Sequence, residues 1–358
     1  MLINFLYVVL ILVFASLYFV YQSLVVDVAG KKGYSKVKAG FLGYIPIFGM
    51  RYYMKKPSLR NTNKKTIHSI FKPSKILLKF IIYLELVIQV VLVMIPVIYI
   101  FGLAFSGVQT GITNTIWPDK PTLKAFKFLF EDFDKFPTWY LNTLGIAVIN
   151  MVVGTLLITG AGYVFARYRF RGKKAGLLTL LVLQAFPSFM GLVAMYVLFF
   201  KFGLLGKPLA LSILYIGGSI PFNLWLIKGF LMAIPKDLDE SAEIDGANKL
   251  QIFFKIILPL SVPILAFVAI GLFMSPWMDY MLPGYLLNFK PENSPNGYDI
   301  KKQWTVAVGL FKYVNDPEMR NYSAFAAGAL IIGFPITILY VVFQKYLIEG
   351  IMAGATKG

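Results

Sequence analysis

The chain has 358 residues, of which 58% are hydrophobic, and carries a formal net charge of +18. Its charges cluster between apolar runs of about 20 residues, long enough to cross a hydrocarbon core of about 30 Å, so we predict an all-α integral membrane protein rather than a soluble one. With no cysteine and one histidine, His68, the sequence excludes disulfides, thiolate sites and histidine metal clusters. We attribute the basic excess to membrane topology and not to nucleic acid.

Seven membrane spans are predicted. They lie near residues 2–24, 77–104, 140–166, 175–200, 209–232, 258–281 and 323–346. Twelve Lys and Arg residues and no acid lie from Gly30 to Lys75, and the short connection 167–174 is equally basic. Because basic loops stay in the cytoplasm, we predict the N-terminus outside and the C-terminus inside.

The span pattern divides the chain into four parts. Residues 1–26 carry no charge and so lack the basic start of a secretory signal, which favours a retained, extra N-terminal transmembrane helix. Residues 27–76 form a basic cytoplasmic linker, whose stretch 41–53 lies along the inner membrane surface or, alternatively, is disordered. Six helices occupy residues 77–346, and a cytoplasmic tail occupies 347–358.

A polar loop between the predicted spans 209–232 and 258–281 predicts two short helices that meet at Gly246. Acids at Asp237, Asp239 and Glu240 favour a helix N-terminus there. Gly246 is suited to a left-handed residue between helices. Beyond it, an apolar stripe at helical spacing consists of Leu250, Phe253, Phe254 and Ile257. We call residues 237–257 the knuckle; it suits docking into a groove of a partner, or packing on this chain's own membrane helices.

Catalytic motifs are not recognisable in this sequence. Gly172-Lys173-Lys174 and Gly30-Lys31-Lys32 lack the other residues of a phosphate-binding loop, and His68 lies in the basic linker. A carboxylate pair is conceivable only among Glu85, Asp279 and acids of the loops. Glu85 falls inside a predicted span, where an acid is either functional or paired structurally.

The knuckle also carries a recognisable spacing: Glu240-Ser241-Ala242, three residues, Gly246, nine residues, then Ile256-Ile257-Leu258-Pro259. It resembles the signature cytoplasmic loop of permease subunits of binding-protein-dependent ABC importers, although Ser241 stands where that family most often has Ala. Residues 142–143, 184–189, 217–223 and 349–358 look like the smaller, MalG-type subunit of maltose and maltodextrin permeases. The resemblance covers roughly residues 77–358, whereas residues 1–76 depart from it.

The resemblance implies a type I ABC-importer permease core of six transmembrane helices, here with one extra helix. The implied partners are a second permease subunit, two ATPase subunits, an external sugar-binding protein and membrane lipid. ATP and Mg would bind the ATPase subunits, so this chain would hold no cofactor and would not itself be an enzyme. The sugar site of such systems lies mainly on the other permease subunit.

Three sets of site residues follow from the resemblance. The ATPase-coupling loop would comprise Glu240, Ser241, Ala242, Asp245, Gly246, Ala247, Leu250, Phe253 and Phe254. The tail contacting the ATPases would comprise Gly350, Ala353, Gly354 and Lys357. The outer loop contacting the binding protein would comprise Pro291, Asn293, Asn296, Gly297 and Trp304.

The expected function is import of maltodextrin-like oligosaccharides. One alternative keeps the architecture and changes the cargo to an arabinogalactan or galacto-oligosaccharide fragment. A remote alternative is an ion-coupled secondary transporter, which would favour inverted repeats and buried acids. A membrane-embedded enzyme lacks a recognisable catalytic cluster.

Overall fold

The computed structural model describes residues 75–110, 115–131, 135–185, 188–292 and 294–355, together with Val26, Ala29, Gly30 and Tyr34. Helices and connecting turns make up these residues, and no strand occurs among them. The predicted first span, 2–24, and the predicted surface segment, 41–53, lie outside the described residues.

The first half of the described chain contains seven α-helices. They are α1 (Lys75–Ser106), α2 (Lys124–Glu131), α3 (Phe136–Ile149), α4 (Thr155–Arg167), α5 (Lys173–Gln184), α6 (Leu192–Lys201) and α7 (Leu211–Leu231). A π-helical turn, Asn150–Gly154, joins α3 to α4 without a break, so the two form one long rod. Short 3₁₀ turns, Ser188–Gly191 and Pro208–Ala210, precede α6 and α7.

The second half adds seven more. They are α8 (Asp237–Ile244), α9 (Lys249–Ile252), α10 (Leu258–Leu260), α11 (Val262–Met278), α12 (Met281–Leu286), α13 (Val306–Asn315) and α14 (Tyr322–Ala355). A second π-helical turn, Phe253–Ile257, links α9 to α10. A 3₁₀ turn, Ile300–Gln303, precedes α13.

Four helices in the described chain are long and apolar enough to cross a membrane: Tyr83–Ser106, Phe136–Arg167, Pro208–Leu231 and Tyr322–Tyr346. They coincide with four of the predicted spans. The predicted span 258–281 corresponds to α11, and the pair Lys249–Leu260 and Val262–Met278 bends by 82°. Pro259 and Pro263 flank that bend, and each removes a backbone donor from the helical ladder.

The predicted span 175–200 is two helices, α5 and α6, rather than one. Pro187 lies in the sequence between them, and proline disfavours a helical residue before it while lacking a backbone N–H. The last predicted span, 323–346, matches the apolar span Tyr322–Tyr346, and the helix α14 itself continues beyond it to Ala355.

Two compact units divide the chain, Met1–Ile98 and Tyr99–Gly358. In the first, α1 presents exposed apolar side chains from Tyr83 to Ile98. In the second, one core cluster gathers aromatic rings, among them Phe136, Trp139, Trp277, Trp304 and Tyr313.

The other core cluster of the second unit lies where α4, α7 and the knuckle meet. It includes Ile158, Tyr163, Ile227, Ile252 and Ile257. α4 and α7 approach closely at Gly162, where an added Cβ would lie 2.6 Å from Cγ2 of Ile227. A small residue at that contact lets helix backbones come together, as is typical between membrane helices. The knuckle therefore rests on a rigid pair of helices.

Candidate functional site

The knuckle is built as the sequence predicted around Gly246. Asp237, Asp239 and Glu240 occupy the first turn of α8, where their charges complement the helix dipole. The φ of Gly246 is +82°, which is the left-handed region. The Gly246 amide donates to the Glu243 carbonyl at 3.1 Å, and the Ala247 amide donates to the Ala242 carbonyl at 2.9 Å. These bonds close the end of α8 and aim the next helix.

The start of α9 is fixed by a reciprocal capping box, which sequence analysis missed. The Gln251 amide donates to Oδ1 of Asn248 at 2.9 Å, and the Asn248 amide donates to Oε1 of Gln251 at 2.8 Å. The spacing Asn-x-x-Gln, which begins two residues after the glycine, was the available signal. Together with Gly246, this capping box means that the local sequence determines the angle between α8 and α9.

A buried ion pair ties the knuckle to α4. Nε of Arg167 lies 2.7 Å from Oδ2 of Asp239, and the two side chains are 7% and 12% exposed. The contact is within ion-pair distance but is out of line for a hydrogen bond from Nε. A second nitrogen, Nη1 of Arg167, donates to the Ile234 carbonyl at 3.0 Å. From the sequence alone, Arg167 indicates only the topology and Asp239 only the start of a helix.

The apolar residues of the knuckle divide into buried and exposed sets. Ala242, Ile252, Phe253 and Ile257 are buried in the second core cluster, and the Phe253 ring lies 5.1 Å from the Tyr163 ring. Leu250 and Phe254 are instead 69% and 54% exposed. The single predicted stripe is therefore wrong as one face, because the buried side includes Ile252 and excludes Leu250 and Phe254.

The exposed face of the knuckle is both apolar and charged. Ile244, which sequence analysis did not select, is 88% exposed, the greatest exposure of any large apolar residue described. Glu240, Ser241 and Asp245 are exposed nearby, and Ala247 is half-buried. Lys249 donates to Glu243 across the Gly246 turn, and this bond raises the pKa of Lys249 above its ordinary value. An exposed apolar tip on a fixed frame is suited to insertion into a partner's groove.

The loop 282–322 presents Pro291, Asn296 and Gly297 as exposed residues, and Gly297 has a φ of +86°. Asn293 lies outside the described residues. Trp304 was predicted to contact the binding protein, but it is buried. Its side chain is 4% exposed, and its Nε1 donates to Oδ1 of Asn288 at 2.8 Å. It therefore packs the loop internally.

The same loop is anchored by α3. Nε1 of Trp139 donates to the Lys301 carbonyl at 2.7 Å, and the Asn142 side-chain amide donates to the carbonyls of Lys302 and Trp304. The Val306 amide donates to Oγ1 of Thr143 at 2.9 Å. The pair Asn142-Thr143, noted in the sequence only as part of a resemblance, thus fixes the base of this loop.

The predicted tail begins inside the last helix. Gly350, Ala353 and Gly354 lie in the last part of α14, and Lys357 lies outside the described residues. Among the described residues, no group of three or more His, Asp and Glu could hold a metal ion. Oδ2 of Asp279 accepts from the Tyr215 hydroxyl at 2.9 Å and its Oδ1 accepts from the Met281 amide, so this acid caps the start of α12.

Comparisons with known proteins agree with one another. The family model described as "Binding-protein-dependent transport system inner membrane component" matches residues 158–352. The galactooligosaccharides transport system permease protein GanQ of Bacillus subtilis is 39% identical over 278 residues, covering 77% of this chain and 94% of GanQ. The maltodextrin transport system permease protein MdxG of the same organism is 38% identical over 285 residues, covering 80% and 98%.

A solved structure shares the fold. It is a chain in the crystal structure of a bacterial ABC transporter involved in the import of the acidic polysaccharide alginate. The match has a TM-score of 0.63 at 24% identity and covers 78% of this chain and 99% of that one.

Proposed function

The chain belongs to the family of binding-protein-dependent transport system inner membrane components, and we propose that its knuckle is where ATPase subunits drive it. It is a carbohydrate ABC-importer permease of the MalG type and a multi-pass membrane protein. The observation that carries the docking role is the exposed tip of the knuckle, Ile244, Leu250 and Phe254, held on a frame of fixed angle. Such a tip can transmit movement only if its frame does not bend.

The proposed assembly contains a second permease subunit, two ATPase subunits that bind ATP and Mg, and an external sugar-binding protein. Membrane lipid surrounds it. Movement of the ATPases would displace the knuckle and so rock the helices between inward-facing and outward-facing arrangements. The tail residues Gly350, Ala353, Gly354 and Lys357 would contact the ATPases. The exposed loop residues Pro291, Asn296 and Gly297, with Asn293 beside them in sequence, would contact the binding protein.

The proposed membrane arrangement has six helices from residue 75 onward and one more before it. Four long helices, the bent pair ending in α11 and the interrupted pair α5–α6 account for the six. The N-terminus would lie outside and the C-terminus in the cytoplasm, which puts the knuckle on the side of ATP.

Topology is tested with introduced cysteines, since the natural sequence has none to give background labelling. Asn296→Cys should react with an impermeant thiol reagent added to intact cells, whereas Arg171→Cys should react only after the cells are opened. Both positions are exposed, so burial does not explain a difference. The reverse pattern would contradict the proposed orientation and the docking role with it.

The cargo is proposed to be a maltodextrin-like oligosaccharide. A galacto-oligosaccharide is the second candidate, because GanQ and MdxG are nearly equally identical to this chain. Uptake of labelled maltotriose and of labelled galactotriose by the reconstituted importer, with and without ATP, decides between them. Uptake driven by an ion gradient alone would instead indicate a secondary transporter.

Docking is tested at the tip. Ile244→Ser should lower recovery of the ATPase subunits with the purified permease and lower sugar-stimulated ATP hydrolysis. Leu238→Ser is the matched control, because Leu238 is also exposed on α8 but points about 120° away around the helix. Equal losses in both variants would contradict a docking surface centred on Ile244.

A further inference from the structure

A basic pocket opens where α4 ends and α5 begins. Its volume is about 770 Å³, and six cations line it: Arg167 and five more, which are Arg169, Lys173, Lys174, Lys228 and Lys236. Among the described residues, none of the five lies within ion-pair distance of an acid. The nearby acid Asp239 is already used by Arg167. The basic linker 27–76 contains a single acid, Asp27, so it offers little charge to neutralise the pocket.

Backbone and buried groups add to the positive charge of the pocket. Gly172 and Lys173 at the N-terminus of α5 form part of its wall, and the N-cap Gly172 has no side chain to satisfy the first amides of the helix. Helix N-termini of this kind attract anions. Arg167 also lines the pocket, and its Nη2 is buried without a hydrogen-bond partner. Both groups therefore add to the attraction of the pocket for an anion.

Lys173 lies close to other positive charges in the pocket. Its Nζ donates to the Tyr168 carbonyl at 3.0 Å. Burial lowers the pKa of Lys173, and the charges of Lys228, Lys236 and Arg169 lower it further. The protein thus holds cations together against their repulsion, which an anion would relieve.

Apolar side chains adjoin the cations. Phe170 and Met232 belong to the pocket wall and are exposed, and Leu178 and Val182 are exposed further along α5. Leu178 and Val182 belong to a predicted span, so they would face acyl chains, whereas the cations lie at its cytoplasmic end under the orientation proposed above. A soluble anion would use the cations alone, but a lipid would use both surfaces.

We propose that this pocket binds the phosphate headgroup of an anionic phospholipid of the cytoplasmic leaflet, with the acyl chains along α5. A phospholipid headgroup and a soluble phosphate anion carry the same phosphate group. The test is therefore designed to distinguish these two sources. An acidic surface of a partner subunit is the third possible occupant, and the same test addresses it.

The experiment measures lipid binding by native mass spectrometry of the full chain, alone and in the assembled importer, in micelles doped with phosphatidylglycerol or phosphatidylcholine. The wild-type chain should bind phosphatidylglycerol in preference to phosphatidylcholine in both states. Arg169→Gln/Lys174→Gln should weaken phosphatidylglycerol binding roughly thirtyfold, on the order of fivefold for each cation removed. Helicity and elution volume are checked to establish that the variant is folded.

The matched control is Arg171→Gln/Lys255→Gln, which removes the same charge from exposed positions outside the pocket and, under the proposed orientation, on the same side of the membrane. Its lipid affinity should stay near that of the wild type. An equal loss in the control, or equal affinity for phosphatidylcholine, would overturn the proposal. Displacement by millimolar inorganic phosphate would assign the pocket to a soluble anion, and lipid loss on assembly would assign it to a partner subunit. Binding is read without transport, so failure here leaves the importer function standing.

Discussion

Removing the charge of Asp239 should free the knuckle from α4. Asp239→Asn keeps the shape of the side chain but leaves the Arg167 guanidinium, which is 7% exposed, without its ion partner. Breaking a buried ion pair by removing one member costs about 3–5 kcal/mol. The bond from Nη1 of Arg167 to the Ile234 carbonyl remains, so we expect the lower end of that range.

A loss of about 3 kcal/mol corresponds to roughly a hundredfold increase in the open population of the knuckle. Hydrogen exchange of the α8 amides in the purified importer should therefore accelerate by about that factor, while exchange in the core of α7 changes little. Sugar-stimulated ATP hydrolysis should fall, because a loosened knuckle transmits less movement.

Asp237→Asn is the matched control, since Asp237 is exposed in the same helical turn, where a charge contributes only about 0.3–1 kcal/mol. Replacing the whole pair, as Arg167→Met/Asp239→Leu, should restore most of the protection, because an apolar pair leaves no buried charge. Equal acceleration in Asp237→Asn and Asp239→Asn would refute the reasoning, as would a double variant no better protected than the single one.

Three other variants probe different parts of the chain. Gly246→Val should lower coupled ATP hydrolysis by forcing a β-branched residue to a φ of +82°, whereas Gly246→Asn should be tolerated; normal hydrolysis in the Val variant would count against the knuckle. Gly309→Ala would place a Cβ 2.0 Å from the Trp139 ring, so it should destabilise the protein by about 1–3 kcal/mol in thermal unfolding, unlike Gly333→Ala, which meets open space. Deleting residues 1–70 should lower the amount of assembled importer more than its ATPase turnover; full assembly with lost turnover would place the extension in the mechanism.

Local signals in the sequence predicted the local geometry of the knuckle. A glycine between an acid-led helix and an apolar run specifies a left-handed turn, and Gly246 adopts it. The predicted stripe failed because apolar residues cover most of the circumference here, at positions 250, 252–254, 256 and 257, so helical spacing alone does not select the buried side. Pro187 did signal the break between α5 and α6, but the apolar flanks suggested one span.

Long-range partners could not be read from the sequence. Arg167 belongs to α4 and Asp239 to α8, and the tertiary packing of α4 with α7 and the knuckle brings them together. Trp304 followed a polar loop and so resembled a surface residue, yet its indole finds a partner in Asn288 and its ring packs near Trp139. Such pairings depend on tertiary contacts that a one-dimensional pattern does not encode.

The Arg167–Asp239 pair and the packing of Phe253 on Tyr163 both attach the knuckle to α4. The chain itself supplies two other attachments, through α7 before the knuckle and through the segment from α9 to α11 after it. A body fixed at two points can still swivel about the line that joins them, and much of an applied push is then lost as rotation. Contacts with α4 away from that line oppose this rotation, so we expect a force on Ile244 to displace α4, α7 and α11 together.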